Sequence, residues 1–313
     1  MLPIVTSKKI CDIRNYENIR DGLKVLLDSI QQRVTIREEA TIVIKANLCL
    51  LMGPETGATV DVRVARALIE WLRARYRPKL VYIAESDATH LDAEMAFRAL
   101  GWRKYFQQWD SNVEFLNLSL DKRVKVKTFY GSEIEMSERY MNADVLISLA
   151  KLKTHSLQKM TCSMKNLFGA LPEKYKIRYH NRLAKAICEI ASARNPDISI
   201  IDGLVAMEGK GPVNGIPKLC KVLISGTDMV ATDIYCAKLM GFKPKSVPHI
   251  NEALRIGLGR RAYELAGDFK VNECLNFKFM SLWEEALRNV IKYARQRRDQ
   301  QIAENAGICK DEV

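Results

Sequence analysis

Residues 144–180 read DVLISLAKLKTHSLQKMTCSMKNLFGALPEKYKIRYH. The run begins as a near-continuous apolar segment, the pattern of a strand covered on both faces. It then turns basic. Residues 151–185 carry nine Lys or Arg and one acidic residue, Glu173. Two of the four histidines, His155 and His180, fall in the same stretch. A basic, histidine-bearing loop leaving a strand is where an open α/β sheet places its ligands. The competing reading is a solvated basic face with two incidental histidines.

Outward from this stretch, strands and helices alternate. Toward the N-terminus, residues 15–34 have helical periodicity and residues 40–47 read as a β-branched strand. Asp61 is placed to cap a helix through residue 76. Residues 79–85 form the next strand, followed by the loop SDATHLD with Asp87 and His90. A helix over 92–100 ends at Gly101. Residues 113–118 and 123–129 suggest two strands of a hairpin apart from the main crossover pattern. Toward the C-terminus come a helix over 182–193, a strand over 197–203 ending in Asp202, and the loop MEGKGPVNGIP. A strand over 221–225 and a helix over 228–240 follow. Residues 281–305 read as one long helix, either to pack on the body or to bridge to a protein partner. The pattern predicts an α/β fold: a mostly parallel central sheet with helices on both faces and a long C-terminal helix. The expected organisation is one α/β domain over 1–270, in one body or two lobes around a cleft, with a helical extension over 271–313.

Composition narrows the class. Of 313 residues, 48% are apolar and 27% charged, with net charge +12. No apolar run reaches the roughly 18 residues of a membrane span, and the first residues lack the apolar core of a secretory signal. The eight cysteines are scattered and none forms a C-x-x-C pair, so no built-in iron–sulfur or zinc motif is expected. Reduced thiols and a cytoplasmic location fit this usage. A pI near 9.3 favours anionic partners.

Polar groups cluster at predicted strand ends: Lys45 and Asn47, Glu85 through His90, Lys153 and His155, Asp202, and the 208–215 loop. In a doubly wound sheet such ends converge. Lys45, Asn47, Lys153, Asn166, Asp202, Glu208 and Gly211 are therefore the candidate contacts to an anionic substrate. Lys165 is a candidate clamp for a carboxylate or phosphate, or a base if burial lowers its pKa. His90, His155 and His180 are candidate ligands of a divalent transition metal, although their spacing matches no local metal motif. Glu85 or Asp87 would offset the surrounding positive charge. Nucleic-acid binding would exploit the basic stretch, but no nucleic-acid motif accompanies it.

The segments KANL, GATV, KLKTH, KNLFG, His180, DG, EGKGPVNG and SGTDMVATD, spread over roughly residues 40–260, together resemble the family called domain of unknown function 362. Many of its members add a ferredoxin-like cluster-binding segment; this chain lacks that cysteine run, which leaves a separate iron–sulfur partner as the implied alternative. The order His155, Lys165, His180, with His90 in ATH, is also similar to the nickel-pincer lactate racemase family. The glycine-rich surroundings of that family's lysine are replaced here by CSMKNLFG. That second resemblance implies a catalytic set of His155, Lys165 and His180 and metal-dependent redox or isomerisation chemistry on a small hydroxy acid. The alternative is a non-catalytic module that binds an anionic ligand or cofactor.

Overall fold

The computed structural model describes residues 1–89, 91–109, 112–269 and 273–280, together with Val290 and Arg297. Eleven strands occur among these residues: β1 Ile4–Lys9, β2 Thr41–Ala46, β3 Leu80–Glu85, β4 Val113–Asn117, β5 Arg123–Lys127, β6 Glu133–Ser137, β7 Val145–His155, β8 Lys159–Thr161, β9 Ile198–Glu208, β10 Ile216–Gly226 and β11 Glu264–Gly267. The main sheet runs β11-β1-β10-β9-β7-β2-β3-β4, with β8 folded back on the end of β7. From β9 to β4 all neighbours are parallel. β10 is antiparallel to both β9 and β1.

β7 is the centre of this sheet because its sequence suits burial on both faces. All eleven of its residues are buried. Alternation along β2 shows the two layers. Ile42 and Ile44 pack with helices Tyr16–Ile30 and Val62–Tyr76, while Val43 faces the core that includes helices Leu183–Ala193 and Met229–Met240. Helices therefore cover both faces. Asn15, Asp61 and Asp228 cap three of them through side-chain acceptors.

Several expectations shift. Residues 113–118 do not form a hairpin with 123–129. β4 joins the main sheet beside β3, and β5 pairs instead with β6. The helix expected over 92–100 is Ala93–Ala99, followed by a second helix, Trp102–Gln107, because Gly101 turns the chain at φ 75°. β7 and β9 extend past their apolar runs, so Lys153 and His155 lie within a strand rather than in a loop, and Asp202 lies in mid-strand rather than at a strand end. The helix expected over 281–305 falls outside the described residues, Val290 and Arg297 apart. No helix among the described residues is long and apolar enough to cross a membrane.

Candidate functional site

The carboxyl ends of β2, β3 and β7 open into a cavity of about 490 Å³, within the size range of small-molecule sites. The strands supply Lys45, Glu85, Lys153 and His155. The short helix Ser163–Leu167 and the turn after it supply Lys165, Asn166 and Phe168. The helical turn Lys176–Arg182 adds Lys176 and His180. Leu50, Leu91, Ile177, Pro212 and Val213 form apolar wall.

The floor is a fixed polar frame. Lys45 Nζ lies 2.6 Å from Glu85 Oε1, and both side chains are buried. Glu85 also accepts from the backbone N–H groups of Leu48 and Ser86, each at 2.9 Å. Burial holds the Lys45 ammonium below its ordinary pKa, with Glu85 opposing that shift. Asn166 donates to the carbonyls of Lys45 and Leu149 and accepts from Asn47. This ties the short helix to the parallel strands. Gly169 permits the close approach, since a Cβ there would sit 3.0 Å from Lys45 Nζ.

Three further lysines face the cavity without a carboxylate partner among the described residues. Lys153 Nζ donates to Cys49 Sγ at 3.0 Å and to the Ala58 carbonyl at 2.6 Å. Lys176 Nζ donates to Ser86 Oγ, the Asp87 carbonyl and the Gly169 carbonyl at 2.5, 2.9 and 3.3 Å. Burial, with Lys45 and Lys165 nearby and Glu85 opposing, lowers Lys176 to about 7. Lys165 is partly accessible from the cavity. Its ammonium lies over the Phe168 ring, 4.7 Å from the centroid. It has no hydrogen-bond acceptor or ion-pair partner among the described residues. Burial and then the charge of Lys153 lower it to about 8.

The two described histidines of the cavity differ. His155 is buried, and its Nδ1 accepts from the backbone N–H groups of Leu157 and Gln158 at 3.2 and 3.3 Å. The neutral ring must then carry its proton on Nε2. Burial, followed by Lys165 and Lys153, pushes its pKa well below the usual histidine value. His180 is exposed on its outer side and is lowered by burial and by Lys165.

Residues 42–238 match the model of the family described as domain of unknown function (DUF362). The chain belongs to this family. Thylakoid-associated protein sll1697 of Synechocystis sp. (strain ATCC 27184 / PCC 6803 / Kazusa) is 37% identical over 141 residues, a span covering 43% of this chain and 44% of that protein. The lactate racemase apoprotein from Thermoanaerobacterium thermosaccharolyticum is similar at a TM-score of 0.45 and 12% identity, over 66% of this chain and 51% of that one.

Within this DUF362 chain, the structure brings together Lys45, Asn47, Lys153, His155, Lys165, Asn166 and His180. His90 lies outside the described residues. Asp202 does not line the cavity. Its Oδ2 is 2.8 Å from Lys151 Nζ, and it accepts from the N–H groups of Asp61 and Leu204. Glu208 is held by Lys218 and by the Lys278 N–H. The Gly211 N–H donates to Thr154 Oγ1, and a Cβ there would meet the Thr154 carbonyl at 2.0 Å. Both stand outside the lining, although Pro212 and Val213 reach it.

Lys176, Cys49 and Asp233 were not singled out from the sequence. Asp233 sits under the site. Its carboxylate accepts from the N–H groups of Ser163 and Met164 at 2.8 and 3.1 Å, anchoring the helix that carries Lys165. His249 Nε2 lies 3.6 Å from Asp233 Oδ2, and its Nδ1 meets Gln158 Oε1 at 3.2 Å. The Gln158 N–H in turn reaches His155. Asp233 could have been found as the one acid in the otherwise apolar run MVATDIYCA.

A transition metal fits the described residues poorly. Among them, no three His, Cys, Asp or Glu side chains form a metal-binding group. A ligating histidine binds metal with one nitrogen and donates its other N–H. His155 does the reverse: its Nδ1 accepts, which leaves the ring proton on Nε2.

Proposed function

We propose that this chain is an enzyme that binds a small carboxylate- or phosphate-bearing molecule in the cavity and moves a proton on it. One observation carries this reading: Lys153, Lys165 and Lys176 face a single cavity with no carboxylate partner among the described residues. Buried charge without a counter-charge is costly, and an anionic ligand is the natural compensation. After its two bonds, Lys153 keeps one N–H for that ligand, and His155 offers Nε2–H. The apolar wall suits a short carbon skeleton.

Lys165 and His180 are the assigned proton carriers. Both reach the cavity, neither is held by an acceptor among the described residues, and burial and Lys153 lower Lys165 to about 8, toward the pH range where acid–base catalysis is most effective. Isomerisation at a carbon beside a carboxylate is the reaction class this set suits. Charge placement also weakens the nucleic-acid reading. Lys151, Lys153 and Lys176 are buried, so much of the basic stretch does not form an outer surface.

The test has two stages. Calorimetry with propionate, lactate and inorganic phosphate measures anion binding. Proton NMR in deuterium oxide then follows exchange of the C–H beside the carboxylate of any acid that binds. Binding with exchange that is lost in Lys165→Ala supports the enzyme. Binding without exchange of any acid leaves a ligand-binding module, and no binding removes the proposal.

A further inference from the structure

We infer that Lys165 acts covalently, condensing through its Nζ with the carbonyl carbon of a 2-oxo acid held in the cavity. This rests on the anion-binding reading above and narrows its substrate class. A lysine serves as a carbonyl nucleophile when it is neutral, accessible and not tied up as a donor. The cavity lysines separate on these criteria. Lys176 Nζ is enclosed by Ser86 Oγ and the Asp87 and Gly169 carbonyls on a buried side chain, so it fails on access. Lys45 is paired with Glu85, and Lys153 is held by Cys49 and Ala58. Lys165 alone among them has no acceptor among the described residues, and its Nζ rests on the face of Phe168. Burial and the neighbouring Lys153 cation favour the neutral amine, against the Phe168 ring face, which favours the charged form.

The other groups suit the rest of such a substrate. The free N–H of Lys153 and the Nε2–H of His155 are donors for the carboxylate of the 2-oxo acid. In the step itself, the neutral amine adds to the carbonyl carbon and the C=O π bond breaks. The oxygen takes up a proton and leaves as water, with the second hydrogen coming from nitrogen. The product is a C=N bond between Lys165 and the former carbonyl carbon. No redox partner is consumed. His180, exposed near Lys165 and without a hydrogen-bond partner among the described residues, is placed to deliver and collect the protons.

The experiment is reductive trapping of the full chain with pyruvate or glyoxylate and cyanoborohydride, read by intact mass and peptide mapping. The expected product is one adduct per chain, equal to the acid less water plus two hydrogens, on the peptide containing Lys165. Its rate should climb as pH rises through about 8, and propionate, which has a carboxylate but no ketone, should protect. Lys165→Arg keeps the charge and should abolish the adduct. Adducts spread over surface lysines, an adduct persisting in Lys165→Arg, or none while propionate binds would each overturn the inference. An adduct at Lys165 without measurable propionate binding would uphold it and remove the wider anion-binding reading. Absence of both would remove the two together.

Discussion

Lys176 allows the cavity's electrostatics to be tested without knowing the substrate. In the unfolded chain a lysine titrates near 10.4, whereas burial brings folded Lys176 to about 7. Between those values the unfolded state holds more protons than the folded one, so stability rises with pH across the window. The penalty is fully present below about 7 and fades toward the unfolded value. Working the linkage between about pH 7 and about pH 9 gives roughly 2 kcal/mol of stability gained from this one group. The buried thiols act in the opposite sense. Burial pushes Cys188 and Cys220 up to about 12, so stability is lost above the unfolded thiol value near 8.5. The measurement is therefore a difference between two proteins that share those thiols. Urea unfolding of the wild type and Lys176→Met at several pH values should show the wild type gaining roughly 2 kcal/mol relative to the variant from about pH 7 to 9. The readout is this change with pH, whatever the substitution does to stability at one pH. Sulfate should shrink the change, because a bound anion favours the protonated amine. A difference that stays constant with pH would refute the lowered Lys176 and the uncompensated cavity with it.

Three other substitutions probe the scaffold. Asp202→Asn should cost roughly 3–5 kcal/mol in denaturant unfolding, because it leaves buried Lys151 without its carboxylate; anion affinity by calorimetry should stay unchanged, since Asp202 lies off the cavity. Asp233→Ala should cost roughly 1–3 kcal/mol by removing the acceptor for two buried N–H groups, and should move the pH profile of trapping at Lys165 by loosening its helix. Gly57→Ala should destabilise by roughly 1–3 kcal/mol in the same unfolding assay, since Gly57 has φ 75° and its Cβ would meet the Ala206 carbonyl at 2.2 Å.

The central strands were legible because their burial is written in apolar residues. Residues 40–47, 79–85 and 143–152 carry runs that water cannot tolerate on either face, and they became β2, β3 and β7. The signal ended where polar residues began, but the strands did not. β7 continues through Lys151 to His155 because Asp202 neutralises Lys151 and the cavity accommodates Lys153 and His155. Asp202 was misplaced for a related reason. The expected strand ended at Asp202 and Gly203, yet β9 runs on to Glu208 and Gly203 lies in mid-strand, where a Cβ would come 2.7 Å from Val222 Cγ1. β8 and β11 are too short and too polar to announce themselves. They exist because β7 and β1 present unpaired edges.

The site was legible by position and not by direction. Strand-end reasoning gathered Lys45, Asn47, Lys153 and His155, which line one cavity because parallel strands deliver their carboxyl ends to one side. It could not tell which of nine basic residues in one stretch point inward. Spacing does not distinguish Lys176 from Lys174: one is buried and the other exposed, and only the tertiary packing of the turn after Pro172 decides between them. That difference changes what the net charge of +12 means. A lysine on the surface is screened by solvent and salt and adds little to affinity or stability. The same residue inside a cavity with low-dielectric walls raises the local potential and shifts its neighbours' pKa values. Lys153 acts in this way on Lys165 and His155. The basic stretch thus contributes to chemistry through a few inward ammonium groups. Neutralising exposed Lys174 or Lys185 should leave anion binding almost untouched, whereas Lys153→Met should weaken it and, by removing a neighbouring cation, raise the pH at which Lys165 is trapped.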